Sequence, residues 1–124
     1  MSVKIQIIGN VGRDPSVRYT QGGKCVASLS LASTYKKEGR PDVTSWFKVT
    51  VWDELAERVG ENVKKGDFIL VEGYRVEIDT WEDKSGSTRA DIAVTANKVM
   101  SFDEWKAQQG ETEPDDVPNE DAPF

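Results

Sequence analysis

The sequence contains no histidine and a single cysteine, Cys25. The first absence removes the commonest general base and the commonest metal ligand. The second rules out an internal disulfide and a thiolate zinc site, and Cys25, within "CVASLSLA", reads as a small core residue. Long apolar runs are missing too. The longest is "FILV", far below the ~20 apolar residues that span a bilayer. The opening "MSVKIQIIGN" carries a lysine inside its apolar segment and has no signal-peptide core, so the expected location is cytoplasmic. "GNVG" and "GRDP" lack the Gly-Lys-Ser/Thr ending of a phosphate loop. Carboxylates are abundant, but no pair stands apart from ordinary surface acids. The expectation is therefore a binding protein and not an enzyme, with no catalytic residue, metal or cofactor assigned.

A length of 124 residues suits one domain with a modest core. The net charge of -6 is concentrated at one end. Residues 1–100 hold 15 Lys and Arg against 14 Asp and Glu, a net +1, whereas residues 101–124 hold one Lys against eight acids, a net -7. A site for a polyanion would have to be a local patch on the near-neutral body. From Gln108 onward, "QQGETEPDDVPNEDAPF" has no periodicity, three prolines and little apolar content. The chain is accordingly divided into a folded domain, 1–105, and a disordered acidic tail, 106–124.

β-branched, apolar-alternating runs separated by turn signals predict an all-β domain. "VKIQIIGNVGRDPSVRYT" reads as a long strand interrupted at Gly9, Gly12 and Pro15, and "CVASLSLAST" as a second. A loop, "YKKEGRPDVT", leads to a third strand, "WFKVTVW". Asp53 is placed as the N-cap of a short helix carrying Leu55, Val59 and Val63 on one side. A fourth strand is expected from Phe68 to Ile78, a turn at "EDKSGST", and a last strand over "RADIAVTANKVMSF". Five strands with one helix between the third and fourth is the chain order of a five-stranded Greek-key barrel, the OB-fold.

The third strand raises the functional question. Phe47, Val49 and Val51 share one face, while Trp46, Lys48, Thr50 and Trp52 share the other. The two tryptophans are roughly 20 Å apart at ~3.3 Å per residue. A Trp in a small β-domain is commonly core, but this pair stands beside a lysine opposite a complete apolar face. Trp81, in "IDTWEDKSG", is expected near a hairpin tip, and Tyr35 heads the basic loop "YKKEGR". Exposed flat side chains are what base stacking requires, at ~1–3 kcal/mol per base and without a sequence code, while cations follow the phosphates. Single strands fit such a surface because duplex bases are already stacked. Lys36, Lys37, Arg75, Lys84 and Arg89, in loops or beside strands, join the pool of phosphate contacts. Trp105, in "FDEWKAQQ", is a packing anchor or a surface residue, and Tyr19 and Tyr74 receive no role.

The ordered series "IIGNVGRDPSVRYTQGGKCVASLSLAS", "TSWFKVTVWDELAERVGENVKKGDFILVEG" and "WEDKSGSTR" resembles the bacterial single-stranded DNA-binding proteins over about residues 3–102. The resemblance implies an OB domain, usually a homotetramer, that coats single-stranded DNA without catalysis. It implies stacking roles for Trp46, Trp52, Trp81 and Tyr35, and DNA contacts from Lys4, Lys48 and Lys65. Glu77 and Asp79 stand where basic residues are common in that family. The terminal "DAPF", Asp121, Ala122, Pro123 and Phe124, is similar to the family's acidic tip, which implies recruitment of replication and repair proteins and a nucleoid-associated location. A rival reading is an OB-fold protein-interaction subunit of a primosome or replisome, with the same aromatics forming a protein interface.

Overall fold

Strand alternation decides which side chains meet in the interior. The computed structural model describes residues 3–109, apart from the side chain of Arg89. The acidic tail, including Asp121, Ala122, Pro123 and Phe124, lies outside the described residues. The elements are β1 (Ile5–Val11), β2 (Ser16–Tyr19), β3 (Cys25–Tyr35), β4 (Val43–Trp52), α1 (Asp53–Asn62), β5 (Phe68–Glu82), β6 (Thr88–Ser101) and α2 (Phe102–Gln108).

The strands are ordered β1-β5-β6-β4-β3-β2, and an added β1–β3 pairing closes five of them into a ring with β2 outside it. β4 and β6 run parallel, and the other pairs are antiparallel. With α1 between β4 and β5, this is the OB-fold expected from the sequence. Closure depends on β1 serving two partners: Ile5 to Asn10 pair with β5, while Asn10 and Val11 also pair with β3. At the crossing, a Cβ on Gly9 would come within 2.4 Å of the Ala32 carbonyl oxygen, so only glycine lets the two backbones approach.

Inward positions recur at every second residue. Leu29 and Leu31 of β3, Val49 and Val51 of β4, Val71 of β5 and Val94 of β6 are all buried. Ala56 and Val59 of α1 cover this core, with Leu55 and Val63 at its margin. Full burial of each such aliphatic side chain contributes about 1.5–3 kcal/mol.

Four boundaries differ from the expectation. Trp52, not Asp53, is the N-cap of α1, and no side chain caps that end. Asp53 takes a φ of 60°, a left-handed conformation that turns β4 directly into the helix and that Asp tolerates better than most residues. β5 continues past Ile78 to Glu82, so Trp81 lies inside a strand, and the turn is confined to residues 83–87, where the Asp83 carboxylate accepts from the Ser85 and Ser87 amides at 2.9 and 3.0 Å. The last strand stops at Ser101, and Phe102 opens α2. There the Ser101 hydroxyl accepts from the Glu104 amide at 3.0 Å. Trp105, 8% exposed, seals this helix to the body through Phe102, whose ring lies 4.7 Å from that of Phe68 and 5.7 Å from that of Trp105. The division placed between residues 105 and 106 thus falls within α2.

Candidate nucleic-acid interface

β4 separates its two faces as its alternation requires. Val49 and Val51 are fully buried, while Trp46 and Trp52 are 55% and 40% exposed and Lys48 projects with them. The neighbouring strands supply small side chains. On β3, Ala32, Ser30 and Ser28 stand opposite Trp46, Lys48 and Thr50, and on β6, Ala93 and Thr95 flank Lys48 and Thr50. Trp46 therefore stands over small neighbours and Trp52 opposite Val26, and both indoles are exposed to solvent.

The turn from β1 into β2 adds residues that sequence reasoning missed. Arg13 donates from Nε to the Ser30 hydroxyl at 3.1 Å, which holds its guanidinium over β3. A shallow hollow of about 170 Å³ is lined by Arg13, Ser30, Trp46, Phe47, Lys48 and Asp91. A second, of about 140 Å³, lies between Arg13, Asp14, Ser16, Ser28 and Lys48. Arg13 and Lys48 thus meet between Trp46 and the β2 side of the sheet. The signal was a cation in "GNVGRDP", between a glycine and Asp-Pro, which marks it as a loop residue but gives no direction. Gly12 matters for a different reason: a Cβ there would sit 2.6 Å from Trp46 Cζ3, so the glycine leaves room for the indole.

Lys65 is brought to the same region, because its backbone amide donates to the Asp14 carboxylate at 2.8 Å. Tyr35, 40% exposed, ends β3 and pairs in register with Val43 at the base of the loop that carries the exposed Lys36 and Lys37. Trp81, 46% exposed, stands on β5 in register with Arg89, and the exposed Lys84 lies in the adjoining turn.

Two cations are engaged elsewhere. Lys4 pairs with Glu72 at 3.4 Å, and roughly 30 Å of extended chain separates it from Arg13. The Gln6 amide, donating to Glu72 at 3.0 Å, holds that carboxyl below its ordinary value, with Lys4 adding to the effect against partial burial, which pushes the other way. Arg75 is bound to Glu77 at 2.7 Å. The outward face of β5 and β6 also carries Asp79 and Asp91, directly opposite one another in the ladder. The cationic side of the surface is therefore β1–β2, β3 and β4, and acids interrupt it between Trp46 and Trp81. Among the described residues no group of acids and cysteine is arranged to hold a metal ion, and no helix is long and apolar enough to cross a membrane.

The chain matches the model of the Single-strand binding protein family over residues 2–112. It is 38% identical over 104 residues to "Single-stranded DNA-binding protein 1" of Synechocystis sp., covering 80% of this chain and 83% of that protein. It is likewise 38% identical over 102 residues to "Single-stranded DNA-binding protein 1" of Xylella fastidiosa, covering 78% of this chain and 74% of that one. With its fold and the matched span taken together, the chain belongs to the single-strand binding protein family.

Proposed function

We propose that this chain binds single-stranded DNA without reading a fixed sequence and performs no catalysis. The observation that carries this reading is the outward face of β4, where Trp46, Lys48 and Trp52 stand exposed behind a fully buried Val49 and Val51, with Arg13 against them. Bases stack on Trp46 and Trp52, and on Trp81 and Tyr35 at the flanks, while Arg13, Lys48 and Lys65 take phosphates. Lys36, Lys37, Lys84 and Arg89 extend the phosphate path into the loops and the hairpin. Lys4 and Arg75 contribute less, because each must first leave a carboxylate.

In the cell this activity coats and protects single strands during replication, recombination and repair, as a nucleoid-associated homotetramer. Asp121, Ala122, Pro123 and Phe124 recruit partner proteins: the Phe124 ring suits an apolar pocket, and the Asp121 carboxylate suits an Arg or Lys on the rim. Titration with oligo(dT), following tryptophan fluorescence and sedimentation together, tests both parts. Strong quenching by a protein that sediments as a tetramer supports the reading. Unchanged fluorescence and no binding would favour the protein-interaction alternative.

A further inference from the structure

The hollow beside Trp46 is chemically mixed in a way that phosphate binding does not need. One wall is an indole, two are the cations Arg13 and Lys48, and the remaining charged group is the Asp91 carboxylate. Its volume of about 170 Å³ corresponds to roughly six waters at ~30 Å³ each, room enough for one pyrimidine. Asp91 is exposed and lies directly across the ladder from Asp79, an opposition of like charges that disfavours the sheet. Neither carboxylate forms an ion pair with a described side chain. An acid at this point repels the DNA backbone; it shares the wall of the hollow with Arg13 and Lys48, and beside the indole it is a hydrogen-bond acceptor open to a donor that the ligand supplies.

We propose that Asp91 reads the exocyclic amine of a base stacked on Trp46, so that the protein favours cytosine over thymine at this position. The proposal rests on the single-strand reading above. An ionised carboxylate only accepts hydrogen bonds. Cytosine presents its N4 amine as a donor, whereas thymine presents O4, an acceptor, at the equivalent place. The thymine imide N–H lies between two carbonyl oxygens that repel a carboxylate. With the base between Trp46 and Asp91, its phosphates fall to Arg13 and Lys48.

The test is competition by unlabelled oligo(dC) and oligo(dT) of equal length for a labelled single strand at neutral pH, with wild type and Asp91→Ala. Removing the charge raises both affinities by relieving repulsion, but removing the acceptor acts on cytosine alone. The dC:dT affinity ratio of the wild type should exceed that of the variant by about three- to tenfold. An oligomer of N4,N4-dimethylcytosine, which has no amine donor, should lose the advantage on the wild-type protein. This arm does not depend on how well the variant folds. Equal ratios in the two proteins would overturn the proposal, as would a cytosine advantage that appears only with magnesium, since the carboxylates would then be holding a cation. Failure of both homopolymers to bind the wild type would overturn the single-strand reading itself.

Discussion

Replacing Gly12 with alanine tests how the stacking surface is built. The new Cβ would lie 2.6 Å from Trp46 Cζ3 and 3.0 Å from Cη2, while carbon atoms rest comfortably at ~3.5–4.0 Å. The indole must withdraw by about 1 Å. Gly12 is not among the positive-φ glycines, so alanine suits its backbone and the effect is confined to the ring. Trp46 is already 55% exposed, and the change in stability should stay within about 0.5 kcal/mol. DNA affinity should fall by up to the worth of one stacked base, ~1–3 kcal/mol, or about five- to 150-fold. The assay is a fluorescence titration with oligo(dT) on Gly12→Ala, Trp46→Ala and the double variant, with thermal unfolding as the control. If Gly12 acts through Trp46, the glycine substitution should add almost nothing once the indole is gone. Equal losses in both backgrounds, or wild-type binding by Gly12→Ala, would refute the assignment.

Other outcomes follow from the same geometry. Trp52→Ala should weaken DNA binding by roughly 1–3 kcal/mol and leave the fold intact, whereas Phe47→Ala, on the opposite face, should cost up to roughly 3–5 kcal/mol of stability; denaturant unfolding beside a DNA titration separates them. Because Glu72 is held below its ordinary value, its contribution to stability is present above the unfolded carboxyl pKa of about 4.3 and is lost as pH falls through the lower, folded value. Glu72→Gln should therefore melt below wild type at neutral pH, with the gap closing in acid. Deleting Phe124 preserves every acidic side chain; partner capture should be lost while DNA affinity is unchanged, and pull-downs indifferent to the deletion would retire the recruiting role.

The fold was legible because strand alternation is a strong signal. The β4 pattern alone assigned its buried and exposed faces, and the turn residues marked the order of strands. Capping and length were read less well. Asp53 looked like an N-cap because Asp is favoured there, but the chain leaves β4 through a left-handed residue, and that geometry has no sequence pattern beyond the tolerance of Asp for it. The α2 helix did carry a signal: Ser101 and Glu104 have capping-box spacing, yet the β-branched run before them drew the last strand one residue too far. In the candidate site, local periodicity placed Trp46, Lys48 and Trp52 together. Arg13 could not be found that way. Its position depends on β1 crossing to β3, where the paired residues lie 20 and 22 apart in sequence, and on a hydrogen bond to Ser30, 17 residues away. The pairing of Lys4 with Glu72 depends likewise on the β1–β5 register.

The central claim is that exposed indoles on this sheet stack unpaired bases, and it is tested most directly by comparing one DNA sequence as a single strand and as its own duplex. At the same moderate salt, the single strand should quench tryptophan fluorescence strongly and bind far more tightly than the duplex. Raising the salt should weaken both through counterion release, but leave a residual, stacking-dependent interaction with the single strand alone. Equal affinity for the two forms, or binding of the single strand without quenching, would contradict the account.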